Sequence, residues 1–326
     1  MYGPDFTFLG IERCDLDKPE TYKDADVVIV GAPIDSGTSH RSGAKFGPQA
    51  IRMGDYLPHD GERPHLALRT DGLKDMKVVD AGDLLMNGGN LEDSLALLAA
   101  ATEKISRADA IAVILGGDHS IASADVAGIA NHRGKGKISM VHFDAHADTG
   151  TDQWGALVGH GTPMRRLIEN GHVRGDRFLQ LGLRGYWPDD ATLNWMRDQG
   201  MRSYEMTEIH HRGLKAVLDE SFATLTDGCD GVFLSVDIDV VDPGMAPGTG
   251  TPEPGGMTSR ELLEAVRRIC LELPVVGVDI VEVAPPFDSA DITAILANRV
   301  VLEALSAIAL RKKGGSYSPT RNLLDR

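Results

Sequence analysis

Short β-branched and aliphatic runs alternate with longer amphipathic stretches from Asp26 to about Lys312, and that rhythm sets the expected fold. Runs at 26–32, 77–81, 110–116, 138–144, 177–183, 201–205, 231–237 and 275–281 are brief and mostly apolar, which predicts strands. Between them, the clearest helix places Leu91, Leu95, Leu98 and Ile105 at helical spacing. Another opens on Thr258 and Glu261, a capping-box pair, and carries Leu262, Val266, Ile269 and Leu273. Strands alternating with helices imply a three-layer α/β architecture, a mainly parallel sheet of about eight strands covered on both faces. No linker-like break and no internal repeat interrupts the pattern. One domain over 1–326 is expected, with residues 1–25 an irregular arm and 316–326 a flexible tail.

Polar residues break the pattern at the carboxyl ends of the predicted strands, where ligands bind in open α/β sheets. Gly116-Gly117-Asp118-His119-Ser120 follows the third strand and Asp144-Ala145-His146-Ala147-Asp148 the fourth. Ser235-Val236-Asp237-Ile238-Asp239-Val240-Val241-Asp242-Pro243 spans the end of the seventh, and Glu282 follows the eighth. Residues i, i+2 and i+4 of a strand share a face, so strand alternation predicts that Asp144, His146 and Asp148 converge, as do Asp237 and Asp239. A single Asp or His at a strand end is more often a cap or turn former. Four carboxylates and an imidazole gathered at buried strand ends repel one another unless a cation neutralises them, so the set predicts metal binding.

Composition narrows the partners. A formal net charge of -15 with no basic patch argues against nucleic acid and is compatible with a small cationic substrate. Cys14, Cys229 and Cys270 form no CxxC spacing, which points to a reducing cytoplasm. Residues 1–20 lack a basic region followed by an apolar core, and no apolar stretch is read as approaching about 18 residues; neither a signal peptide nor a membrane span is expected.

The motifs at the strand ends, with Gly248-Thr249-Gly250-Thr251-Pro252, Gly255-Gly256 and the early loop Thr38-Ser39-His40-Arg41-Ser42-Gly43-Ala44-Lys45-Phe46-Gly47-Pro48, strongly resemble the ureohydrolase family of arginases and agmatinases, its agmatinase-like members above all. The resemblance implies an arginase-like fold and two divalent metal ions per chain. One ion would be held by His119, Asp144, Asp148 and Asp237, the second by His146 and Asp239, with Asp144 and Asp237 bridging. The oxygen-rich donor set suits Mn²⁺, and Ni²⁺ or Co²⁺ fit it as well. Glu282 matches the glutamate that pairs with a substrate guanidinium in bidentate fashion, and His160 the histidine that relays a proton to the leaving amine. Asp148 joins these two in the catalytic set. The implied reaction is hydrolysis of a guanidino C–N bond to urea and an amine, in a homo-oligomer, commonly a trimer or hexamer.

The loop from Thr149 to Gly159 is expected to contact the rest of the substrate. Its sequence departs from the polar residues with which arginases hold an α-amino acid, which puts arginine in doubt. Asp152 could pair with a distal amine and Trp154 offer an apolar or cation-π wall, with Thr251 also lining the substrate site. Tyr186 and Trp187 could extend the wall, and His40 and Arg41 could line the pocket. His142 is read as structural, facing away from the metal loop. Agmatine is the default substrate, with guanidinobutyrate, guanidinopropionate, guanidine and biguanides as alternatives. Two other readings are a one-zinc deacetylase and a catalytically silent or regulatory subunit of the same fold.

Overall fold

A computed structural model describes residues 6–55 and 62–320. Its strands are β1 (Val27–Ala32), β2 (Val78–Asp83), β3 (Ile111–Gly116), β4 (Ile138–Phe143), β5 (Val173–Leu183), β6 (Arg202–Glu205), β7 (Gly231–Asp237) and β8 (Val275–Val281). They follow the predicted runs closely, except that β5 opens at Val173 instead of residue 177. All pair in parallel, in one sheet of order β2-β1-β3-β8-β7-β4-β5-β6.

The helices are α1 (Gly47–Met53), α2 (Gly72–Asp75), α3 (Leu91–Arg107), α4 (Ala122–Arg133), α5 (Pro163–Glu169), α6 (Asp190–Asp198), α7 (Met206–Arg212), α8 (Leu214–Thr226), α9 (Ser259–Glu272) and α10 (Ile292–Lys312). Alternation along the strands divides the core into two layers. Val27, Ile29, Val113, Leu115, Val141 and Phe143 pack with residues of α8, α9 and α10, whereas Val28, Val30, Ala112, Ile114 and Met140 pack with α3, α4 and α5. Burial on both faces explains why the strand sequences read as continuous apolar runs.

Local signals act where expected. Thr258 Oγ1 accepts from Glu261 N at 3.1 Å, and the Glu261 carboxylate accepts from Thr258 N at 2.8 Å, so α9 begins in a complete capping box. The expectation that no apolar stretch nears 18 residues fails for α10, whose 21 residues are long and apolar enough to cross a membrane. This helix is largely buried against α9, α2 and α1, and Asn298 within it donates to Ile51 O at 2.9 Å. Its apolarity serves a two-sided core contact.

In the arm, Phe8 and Leu9 are buried, and Phe8 N donates to Asp80 at 2.7 Å beside the edge strand β2. Near the other end Tyr317 accepts from Arg267 at 2.9 Å. Residues 1–5 of the expected arm and 321–326 of the expected tail lie outside the described residues.

Candidate metal centre and active site

The strand order makes neighbours of segments that are far apart in the chain. β3, β8, β7 and β4 are adjacent at the middle of the sheet, and their carboxyl ends carry His119, Glu282, Asp237 with Asp239, and Asp144 to Asp148. Register aligns them: Leu115 pairs with Ile280, Ile280 with Val236, and Val236 with Phe143. The next residue of β7 is Asp237, and the residue after β4 is Asp144. Both carboxylates therefore leave the sheet at the same height.

Convergence comes about differently from the expected strand alternation. β4 ends at Phe143, and residues 144–148 form a turn in which Asp148 has φ 52°. Asp239 lies in a short 3-10 turn after β7. Backbone N–H groups then hold the carboxylates. Asp144 Oδ1 accepts from His146 N at 2.6 Å, Asp237 Oδ1 from Asp239 N at 2.8 Å, and Asp239 Oδ1 from Ala145 N at 3.0 Å. One oxygen of each is thereby tied to the backbone at the edge of the centre.

Carboxylate oxygens surround two imidazole nitrogens. Nδ1 of buried His119 lies 3.0 Å from Asp144, 3.1 Å from Asp148 and 3.2 Å from Asp237, yet none of these contacts has hydrogen-bond geometry. An octahedral ion with bonds of about 2.1 Å spaces adjacent ligands by about 3.0 Å. The spacings have that size, and the orphaned nitrogen points where a cation would sit. A second grouping puts His146 Nδ1 3.1 Å from Asp239 and 3.4 Å from Asp144, so Asp144 belongs to both. The donors are oxygens and imidazoles without a thiolate, a set that fits divalent ions.

Electrostatics agree with a site built for cations. Burial, reinforced by Asp239 and Asp144, holds the Asp237 carboxyl well above its ordinary range. Burial likewise raises Asp239, with Asp144 adding to it. Burial acts against the His146 imidazolium too, but Asp239 and Asp144 outweigh it and push its pKa up to about 12. Protons thus balance the charge that metal ions would otherwise neutralise.

A row of polar side chains lies one step deeper in the sheet. Asp279, Ser235, His142 and Gln180 pair side by side across β8, β7, β4 and β5, and all are fully buried. Gln180 Nε2 donates to Ala147 O at 2.7 Å and to His142 Nδ1 at 3.1 Å, while Ser203 Oγ donates to Gln180 Oε1 at 2.8 Å. A carbonyl can only accept, which orients the amide and leaves His142 with its proton on Nε2. That nitrogen meets Asp144 Oδ2 at 2.8 Å. The expected outward orientation of His142 is therefore wrong: it stands two residues before Asp144 and braces it. Ser235 does the same for His119, its Oγ 2.9 Å from Nε2. Polar residues inside apolar strands, His142 and Ser235 among them two positions before Asp144 and Asp237, were the available signal for this row.

Glu282 sits at the carboxyl end of β8 with φ 62° and is buried. Its Oε1 accepts from His119 N at 2.9 Å and lies 2.9 Å from His160 Nδ1, whereas Oε2 has no partner. The expected bidentate pairing with a guanidinium thus meets one engaged oxygen and one free one. Burial favours the neutral carboxyl, but the charge of His160 and its hydrogen bond hold Glu282 below its ordinary range. In return, Glu282 outweighs the burial of His160 and raises that imidazole to about 9.

A cavity of about 400 Å³ opens above these groups, lined by Ser39, His146, Asp148, Gly150, Asp152, Gln153, Trp154, His160, Gly161, Trp187, Asp237 and Thr251. Asp152, Trp154, Trp187 and Thr251 reach it as expected. Asp152 also closes a turn by accepting from Gly155 N at 2.8 Å, and Trp154 is 81 % exposed. Thr251 Oγ1 faces Asp239 Oδ2 at 3.4 Å. Tyr186 stands in solvent outside the lining. His40 and Arg41 do not line it either, because Arg41 turns to Thr249 O and Gly250 O and stacks on Phe287. Ser39, one residue earlier, takes that place and contacts His160 Nε2 through both its N–H and its hydroxyl.

Known proteins resemble this chain in sequence and in fold. The model of the arginase family matches residues 25–307. Guanidinobutyrase of Pseudomonas aeruginosa is 37 % identical over 286 residues, 87 % of this chain and 86 % of that protein. Mitochondrial agmatinase of Gallus gallus is 38 % identical over 285 residues, 87 % of this chain and 81 % of that protein. Among solved structures, proclavaminate amidino hydrolase from Streptomyces clavuligerus superposes with a TM-score of 0.85 at 34 % identity, covering 95 % of this chain and 99 % of that one.

Proposed function

The chain belongs to the arginase family and is a metal-dependent ureohydrolase, and on that premise we propose that it cleaves the guanidino C–N bond of agmatine or a close relative to release urea and an amine. The observation that carries the proposal is Glu282 Oε2, a buried, partnerless carboxylate oxygen on the residue whose other oxygen holds the cavity-lining His160. Desolvated negative charge of this kind binds a guanidinium through charge-assisted hydrogen bonds.

His119, Asp144, Asp148 and Asp237 would hold one ion, and His146 and Asp239 the second with Asp144 and Asp237 shared; Mn²⁺ is the first choice, Ni²⁺ and Co²⁺ the alternatives. Two divalent ions held there would supply positive charge and would lower the pKa of water from about 15.7 towards about 7. Glu282 Oε2 accepts from the guanidinium N–H groups and turns the carbon towards the metal centre. His160, held by Glu282 through Nδ1, carries the proton that the leaving amine takes up. The wall favours a cationic tail, since Asp152, Trp154 and Trp187 line the cavity and no Lys or Arg does among the described residues. The three cysteines are unpaired, which supports a reducing cytoplasm, and a trimer or hexamer is part of the same reading.

The test is urea release from agmatine, guanidinobutyrate, guanidinopropionate, arginine, guanidine and a biguanide by protein loaded with Mn²⁺, Ni²⁺ or Co²⁺. Agmatine should be hydrolysed fastest, with two ions per chain by elemental analysis. No urea from any compound with any metal would overturn the proposal. A single bound ion would overturn the two-ion centre.

A further inference from the structure

We propose that Ser39 is the proton-relay residue of this site, passing the proton of His160 between Nε2 and the departing amine. The inference rests on the ureohydrolase reading above. It starts from the two nitrogens of His160, both of which are engaged. Nδ1 lies 2.9 Å from Glu282 Oε1, while Nε2 lies 3.0 Å from Ser39 N and 2.5 Å from Ser39 Oγ. A peptide N–H can only donate, so Nε2 presents its lone pair to Ser39 and the neutral ring keeps its proton on Nδ1, donating it to Glu282.

The contact is built into the fold. Gly37 N donates to Asp118 at 2.7 Å, and Gly37 O accepts from His160 N at 3.0 Å and from Gln153 Nε2 at 2.8 Å. These bonds clamp the segment carrying Ser39 between the loop after β3 and the loop that walls the cavity. His160 is 8 % exposed, whereas Ser39 is open to the cavity, so the serine covers the nitrogen that must exchange a proton.

When the ring takes a second proton, it does so at Nε2, where the peptide N–H cannot accept and Ser39 Oγ can. Delivery then balances in one concerted step. The Nε2–H bond breaks as a new Oγ–H bond forms, and the original Oγ–H bond breaks as an N–H bond forms on the departing amine. The ring is left neutral and the hydroxyl is restored. The charged groups facing His160 are Glu282, Asp148 and Asp118, all acidic and all favouring the imidazolium. Ser39 N–H, donating to Nε2, is the contact on the side of the neutral ring.

The experiment compares wild type, Ser39→Ala and Ser39→Thr, each metal-loaded, on the guanidino compound that wild type hydrolyses fastest, agmatine first. Removing part of a general acid–base path should lower kcat about tenfold to a hundredfold in Ser39→Ala. KM and metal content should stay unchanged, Ser39→Thr should restore most of the rate, and the proton inventory in H2O/D2O mixtures should be curved in wild type and linear in Ser39→Ala. An unchanged kcat in Ser39→Ala overturns the proposal, as does a loss that comes with altered KM or metal content or that threonine does not restore. If wild type releases no urea, the activity reading fails separately. Nitrogen-15 shifts of His160 still decide the ring then: the Nδ1–H tautomer supports the assignment and the Nε2–H tautomer overturns it.

Discussion

Glu282 and His160 show how little separates a structural pair from a working one. One carboxylate oxygen fixes the imidazole and the other is left bare in a buried site, where an unpaired charge is costly without a cationic partner. Glu282→Gln keeps the shape and removes the charge. Truncating one partner of a buried charge pair costs about 2–5 kcal/mol, so kcat/KM for urea release should fall by roughly two to three orders of magnitude at unchanged metal content. His160 gives a pH prediction. In metal-free protein it should titrate at about 9 by NMR, above its unfolded value of about 6.5. A raised folded pKa stabilises fully below about pH 6.5, and that contribution is lost as pH rises through about 9. Metal loading offsets the Asp148 charge that helps to raise it, so the titration should move down; no movement would separate His160 from the centre.

At the scale of elements, the sheet and its turns divide the labour. Strands set the height at which side chains emerge, and turns after β4 and β7 bring them to a point. The polar row beneath holds them there, and partners behind metal ligands are worth about tenfold to a hundredfold in affinity. Gln180→Leu leaves His142 Nδ1 without its donor and should weaken Mn²⁺ binding about tenfold in a chelator competition. Wild-type affinity would show that the row only packs. The capping box of α9 is a local feature of the opposite kind. Thr258→Ala should cost about 1 kcal/mol in urea unfolding and leave kcat unaltered.

For the whole molecule, the metal centre joins four segments that are separate in sequence, so binding there should couple to the stability of the sheet. Metal-loaded protein should melt several degrees above chelator-treated protein, since saturation at a hundred times Kd is worth about 2.7 kcal/mol per site. Loading should also release protons from the histidines and buried carboxyls of the site, read by calorimetry in two buffers of different ionisation enthalpy. Heats that do not depend on the buffer would contradict the charge balance described above.

The elements were legible in the chain because their causes are local: apolar runs for the strands, heptad-like spacing for α3, and Thr258 with Glu261 for α9. The acids and histidines of the centre were legible too, because charged residues at the ends of apolar strands need a reason to be there. What brings them together was not. Asp148 reaches the centre through a left-handed turn residue, and no periodicity encodes that turn. The placing of β8 and β7 between β3 and β4 sets Glu282 and Asp237 between His119 and Asp144, a pairing of distant strands. His142 has the structural role expected of it but faces the opposite way, towards Asp144 two residues on, and its other partner, Gln180, is identified only when β5 lies beside β4. Ser39 gained its role the same way, since nothing within its own loop marks a contact with a residue 121 positions later. Sequence alone determined which groups are present and where strands bring them to the rim, since those follow from side-chain chemistry and short-range patterning. Only the tertiary structure decided which oxygen of Glu282 is free, which nitrogen of His160 is covered and which residues brace the ligands, because hydrogen-bond direction depends on neighbours that meet only in the folded chain.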